Sequence, residues 1–381
     1  MPSQLIVEGW RFLPHSYSII NQFQCLEILK RQEIQLFHLD SPHYKDDWVN
    51  YNNLFNPADS RALAEIKSPD PNQIADVTLR IEFPFRLDLS NSKRTYVFMT
   101  SEKGYVPNYN LQLQCSLAEA HSNSEVVLIT PSNWAKSGLV RSGADPNRTV
   151  IIPHGIDPTI YKPLSEEERI LLRKQLGIDG FIFLSVGAMN GAKRADLVLK
   201  SFARVLEKYP DARLILKGLD NIHKSRDWLN MARGFLTDAE ASRAFSRLTY
   251  VGDSLPFHEV AKLYQIADAY IAPYSAEGFC LPVLEAAACG LPVICTRGGA
   301  TDDFTNSDFA LHIDSQIIEI AGDDPAICLE PNLESLVSLM HLVIERDSFR
   351  NSAKINGASF VHQNFTWKHV VDQLLNVLEL V

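Results

Sequence analysis

Short apolar runs bounded by turn residues alternate along the chain with longer stretches of mixed polarity. Residues 5–9 predict a first strand. In residues 18–31, Ile19, Ile20, Phe23, Leu26, Ile28 and Leu29 form a wide apolar face at helical spacing. Residues 34–39, 96–99, 126–129 and 150–152 predict further buried strands. After the turn-rich stretch 153–163 the pattern restarts. Ser165 and Glu168 have capping-box spacing and open a helix that ends near Gly177. A strand over 181–187 ends in a glycine, and a helix follows over 196–208. Strands are predicted over 213–218, 248–252, 269–273 and 291–295, the last preceded by a helix over 282–289. Such alternation predicts an α/β chain of two tandem, Rossmann-like, doubly wound domains, with ligands sought in loops that follow strands. The expected division is 1–160, 161–365, and a last helix in 366–381 that crosses back to the first domain.

The charge balance narrows the ligand classes. With 36 basic and 46 acidic residues the net charge is −10, and no basic run exists. Broad electrostatic binding of nucleic acid is therefore not expected, nor attraction to an anionic membrane surface. An anionic ligand would have to be held by a few placed groups. Six cysteines show neither CxxC nor zinc spacing and read as buried reduced thiols. The first residues lack the basic and apolar regions of a signal peptide. Apolar stretches are interrupted before about 18 residues. A cytoplasmic chain without a transmembrane segment is expected.

The densest chemical signal is the stretch 276–293, AEGFCLPVLEAAACGLPV. Pro282 suits a first helical turn, where its missing N–H costs nothing. Gly290 suits the helix end. The helix start at Gly278, Phe279, Cys280 and Leu281 would present backbone N–H groups and a positive dipole end, a phosphate site. Glu277 lies at the loop mouth and Glu285 inside the helix. Carboxylates so placed can accept charge-assisted hydrogen bonds from sugar hydroxyls at two points of a long ligand.

Glu277 and Glu285, followed by Gly290-Leu291-Pro292-Val293, resemble the signature of retaining family 4 glycosyltransferases of GT-B fold. The resemblance extends over most of 150–300. It takes in His154-Gly155-Ile156-Asp157, the loop from Gly187 to Asp196, Tyr250-Val251-Gly252, and Leu263 to Asp268. It implies a nucleotide-sugar donor whose ribose is held by Glu285. It implies that Glu277 and the amides after it hold the transferred sugar and β-phosphate, and that Lys193 neutralises the diphosphate. Val251 and Leu255 fall beside the base. In that family an Arg commonly follows the glycine matching Gly187; here Ala188 stands there, and Arg194 either replaces it or faces solvent. Within the family the chain resembles glucosyltransferases of cyanobacterial heterocyst envelope polysaccharide, which implies UDP-glucose as donor and a saccharide or lipid-linked saccharide as acceptor.

Further candidates for the donor or acceptor pocket are His15, Ser16, Ser18, Glu102 and His154. The first three could instead cap the first helix, and His154 could be a structural histidine between domains. Arg80, Glu82 and Arg86, around Pro84, read as a salt-paired edge strand in preference to a lining of the acceptor side. The stretch 187–193 departs from a P-loop in glycine spacing and lacks Ser or Thr after Lys193. No Asp-x-Asp and no Gly-x-Ser-x-Gly occurs. Neither a catalytic metal nor a cofactor is expected. Other readings of the same residues are a sugar-nucleotide epimerase or hydrolase, with Glu102 or His154 as acid or base, and a nucleotide-sugar sensor without turnover.

Overall fold

In the computed structural model, which describes residues 2–380, the chain forms two α/β units. The first comprises the residues up to Gly155, the segment Glu319–Ile327 and the residues from Phe365 on; the second comprises Ile156–Ile318 and Cys328–Asn364. No helix among the described residues is long and apolar enough to cross a membrane.

The first unit holds β1 (Ser3–Gly9), β2 (Ile34–Asp40), β3 (Val77–Ile81), β4 (Arg94–Phe98), β5 (Val127–Thr130) and β6 (Thr149–Ile151), in the order β2-β1-β3-β4-β5-β6. Every adjacent pair is parallel. Both faces of such a sheet are covered, so its strands read as nearly unbroken apolar runs. β3 departs from that pattern because it carries Arg80. The edge-strand reading of this stretch is corrected: β3 lies between β1 and β4, inside the sheet. Arg80 is tolerated there because Glu8 of β1 accepts from its Nε at 2.8 Å. Glu8 also pairs with Arg86, whose Nε donates to Glu82 at 3.1 Å. The helix Trp367–Val377 belongs to this unit. Trp367 stacks on Phe23 at 5.5 Å between ring centroids, and the Tyr96 hydroxyl donates to the Val377 carbonyl at 2.9 Å.

The second unit holds β7 (Ile182–Val186), β8 (Arg213–Lys217), β9 (Leu248–Val251), β10 (Ala269–Ala272), β11 (Val293–Thr296) and β12 (Ala310–Ile313), in the order β12-β11-β10-β7-β8-β9. The sheet is again parallel throughout. A two-stranded ribbon, β13 (Ser315–Ile320) and β14 (Ala326–Pro331), follows. Phe183, Leu214 and Leu216 point into one core with Val198, Leu199 and Phe202 of the helix Ala195–Lys208. By alternation, Leu184, Val186, Ile215 and Lys217 face the other side. The order reverses between β7 and β10, and loops after those strands flank a topological switch point, where open α/β sheets place ligands.

The helix Glu166–Gln175 begins with the full Ser165/Glu168 capping box. Arg169 and Arg173 on it clamp Asp268 at the start of β10, each at 2.5 Å. The helix over the densest motif runs Leu281–Ala288. Gly290 ends it at φ +80°, and a Cβ there would lie 3.0 Å from the Lys354 carbonyl oxygen. Only glycine meets both demands.

Candidate functional site

Two loops of the second unit meet at the switch point. After β7 the chain passes Gly187 and forms the short 3₁₀ turn Gly191–Lys193, capped by Asn190, whose side chain accepts from the Lys193 amide at 3.3 Å. After β10 the Ser275 amide donates to the Ala192 carbonyl at 2.8 Å, tying the second loop to that turn. Lys193 and Glu277 are thereby brought together from 84 residues apart, and the lysine Nζ donates directly to the Glu277 Oε1. Glu277 is buried and Lys193 partly so. Gly187 makes room for this lysine: a Cβ at 187 would come within 3.3 Å of the Lys193 Cε.

Beyond Glu277 the chain turns through Cys280, held left-handed at φ 69°, into the helix Leu281–Ala288, with Pro282 in its first turn. Its N-cap residue, Cys280, makes no side-chain capping hydrogen bond. Its amide end is therefore available to an anion. Phe279 stacks on Phe304 with 4.6 Å between centroids, which fixes the turn from its apolar side. Burial pushes the Cys280 thiol up to about 11, so it remains a neutral thiol at neutral pH.

Glu285 is buried inside the helix, and the Tyr264 hydroxyl donates to its Oε2 at 2.7 Å. The Tyr161 phenol also favours the ionised carboxylate. Burial raises the Glu285 carboxyl to about 6, against the lowering effect of the two tyrosines. At neutral pH it is an ionised acceptor that takes the Tyr264 hydrogen bond. Tyr161 and Tyr264 are fully within the protein, and burial raises both phenols well above their ordinary value. Sequence reasoning gave neither tyrosine a role. The available signal was Tyr264 itself, within the 263–268 stretch, but its pairing with Glu285 is a tertiary fact.

Arg194 neither faces solvent nor stands free. Its guanidinium is forked onto Asp196, at 3.1 and 3.2 Å, and onto both Glu330 oxygens at 3.0 Å. Val251 ends β9 and Leu255 lies in the loop before the helix Phe257–Ile266, both half-buried.

In the first unit the candidate residues are placed differently. His15, not a serine, caps the helix Ser16–Ile28, its Nδ1 accepting from the Tyr17 amide at 3.3 Å. Ser16 is exposed at the first helical position. Ser18 is fully buried, its hydroxyl accepting from the Leu13 amide at 3.2 Å and from Gln22 at 2.9 Å. Glu102 has an exposed side chain, and its carbonyl accepts from the Trp134 indole at 2.8 Å. His154 is buried, with Phe98 and Trp367 beside its ring. Burial lowers it to about 3, so it is neutral at physiological pH.

Residues 168–323 match the family model described as glycosyl transferases group 1. Among curated proteins the chain is similar to D-inositol 3-phosphate glycosyltransferases. It is 29% identical to that of Acidothermus cellulolyticus over 195 residues, 48% of this chain and 39% of the relative. It is 25% identical to that of Corynebacterium aurimucosum over 262 residues, 67% of this chain and 56% of the relative. The chain thus spans about half the length of the curated relatives it matches. Among solved structures it is similar to Anabaena HepE in complex with UDP and glucose, with a TM-score of 0.71 at 13% identity and 100% of each chain covered. It is also similar to WaaG, a glycosyltransferase involved in lipopolysaccharide biosynthesis, with a TM-score of 0.66 at 15% identity and 99% of each chain covered. The chain adopts the GT-B fold, and its group 1 glycosyl transferase match falls on the second unit, across the segment that carries Lys193, Glu277 and Glu285.

Proposed function

We propose that the chain is a retaining glycosyltransferase that moves glucose from UDP-glucose to a saccharide or lipid-linked saccharide acceptor without a metal. One observation carries the reading: the Lys193–Glu277 pair stands beside an uncapped helix start, with the tyrosine-held Glu285 eight residues further on. The group 1 family match and the GT-B relatives, HepE with UDP and glucose among them, support it.

In this reading Glu285 accepts from the ribose hydroxyls, and the Leu281–Ala288 helix start receives the β-phosphate. Glu277 accepts from hydroxyls of the glucosyl ring and is kept in place by Lys193. The sugar's C1–O bond to the phosphate breaks while the acceptor oxygen bonds to C1 on the same face. The departing phosphate oxygen takes the acceptor's proton, and UDP leaves. Lys193 and the helix dipole stabilise the charge that grows on the diphosphate, the kind of interaction made most strongly in the transition state. Val251 and Leu255 flank the base. His15, Ser16 and Glu102 are the first-unit groups left to shape the acceptor side; Ser18 and His154 are buried.

The test is a donor screen of UDP-, GDP- and ADP-sugars by thermal shift and turnover, with and without a chelator, followed by determination of the product's anomeric configuration. UDP-glucose should give the largest shift, chelation should not stop turnover, and the product should keep the donor's α configuration. A larger shift with GDP or ADP ligands would overturn the donor assignment, and a β product the retaining one. Rapid donor turnover without any acceptor would favour a hydrolase.

A further inference from the structure

Lys217 is the last residue of β8 and only 5% exposed. Its ammonium carries three donors. The one hydrogen bond drawn from it goes to the carbonyl of the next residue, Gly218. Among the described residues no carboxylate pairs with it within 4 Å. Asp220 and Asp253 act on it only through space. Asp220 already accepts from the Tyr250 hydroxyl and, at 2.8 Å, from the Arg226 amide, with the Arg226 guanidinium at 3.4 Å. Asp253 is exposed. Burying an ammonium with so little compensation is expensive, and burial lowers this one to about 8.

The position explains what such a charge could serve. Lys217 pairs in register with Val186 of β7, and its carbonyl accepts from the Gly187 amide at 3.0 Å. The Ser225 hydroxyl donates to the Ala188 carbonyl at 2.8 Å and accepts from the Leu219 amide at 2.9 Å, pinning the loop after β8 against the loop after β7. Lys217 is therefore at the strand end next to the Gly187–Lys193 loop. The other cations of that loop are engaged: Lys193 by Glu277, and Arg194 by Asp196 and Glu330. We propose that Lys217 is a second anion-binding cation of this site, taking the diphosphate of a nucleoside diphosphate ligand. This rests on the donor-site reading above and adds to it a residue on a different strand.

The test is calorimetric titration of UDP, with uridine as control, into the wild-type chain and into Lys217→Met and Lys217→Arg, in buffers of different ionisation enthalpy. At pH 8.5 UDP is fully ionised, and an anion beside Lys217 restores its proton. The wild type should then take up about 0.7 proton per UDP bound, falling toward zero at pH 6.5–7 apart from the nucleotide's own ionisation. Lys217→Met should weaken UDP by on the order of tenfold or more, abolish the uptake, and leave uridine nearly unchanged. Lys217→Arg should keep most UDP affinity and lose the uptake. If Lys217→Met does not fold, the arginine variant and the wild-type uptake still decide. Wild-type binding of UDP without proton uptake, or equal weakening of UDP and uridine in Lys217→Met, overturns the proposal and leaves the donor site standing. Failure of the wild type to bind any nucleoside diphosphate instead overturns the donor-site reading itself.

Discussion

The two units differ in their buried charge: the second has closed networks too, at Asp268 and Arg194, but also charges short of partners. In the first, charges at the strand ends are closed on themselves: Glu8 lies between Arg80 and Arg86, and Arg11 donates to Asp40 from Nε at 2.8 Å and Nη2 at 2.6 Å. In the second, Glu285 is an ion among tyrosines, Lys217 an ion with one carbonyl, and Lys193–Glu277 a pair beside an uncapped helix. Both units are parallel doubly wound sheets, so the contrast does not come from fold. Closed networks hold a structure together; charges left short of partners cost stability and are kept where a ligand completes them.

The sharpest way to break the contrast is at the pair. Lys193→Ala or Glu277→Ala should lower kcat by on the order of 10²–10³ with a near-normal melting profile. The double variant should lose little more than either single one, because the two side chains act as a unit. Steady-state kinetics on the three variants checks this, and additive losses would separate their roles. In the first unit the effect should fall on stability instead. Glu8→Gln leaves Arg80 buried beside a neutral group and should cost about 3 kcal/mol in denaturant unfolding, with UDP affinity unchanged in the protein that remains folded.

Glu285→Gln joins both halves of the contrast. The ionised carboxylate is held in a site that raises it to about 6. Glu285 therefore binds its proton more tightly when folded, and its contribution to stability is present below about 4.5 and lost as pH rises through about 6. The glutamine variant should accordingly melt higher than wild type at pH 7.5, by about 2 kcal/mol, with the difference vanishing near pH 4.5. Donor KM should rise by on the order of tenfold, and in the wild type donor affinity should decline as pH falls through 6. The smallest effect is expected at Arg194, whose fork is spent within the protein. Arg194→Ala should cost about 1 kcal/mol of stability and change kcat little. A loss like that of Lys193→Ala would mean that the fork opens onto the donor.

Local signals made much of this legible. Pro282 and Gly290 mark the helix at the site, Ser165 and Glu168 mark another, and apolar runs mark ten of the twelve sheet strands, all but β3 and β12. β3 reads as an edge strand because Arg80 interrupts its apolar run, and the partner that permits an arginine inside the sheet is 72 residues away. The ribbon strand β13 has exposed isoleucines at 317, 318 and 320 and no clean alternation. Lys217 lay within an expected strand yet had no role, since its burial and lack of a carboxylate depend on neighbours brought in by β7 and β9. Motif residues at the site were legible because loop chemistry is local. The tyrosines that orient Glu285, and the carboxylates that occupy Arg194, were not.

The composition of the first unit also bears on the order in which the protein is made. Its sheet is complete by Ile151, but Phe23 stacks on Trp367, Arg31 pairs with Asp372, and Arg94 pairs with Glu379. Gly155 lies so close to the backbone at Trp367 that a Cβ would fall 2.6 Å from its amide nitrogen. On the ribosome, where domains usually mature from the amino terminus onward, the part begun first must wait for the residues translated after the whole second unit. Until they emerge, Phe23 and the backbone around Gly155 lack their covering helix, and the nascent chain has a surface there for a chaperone to guard.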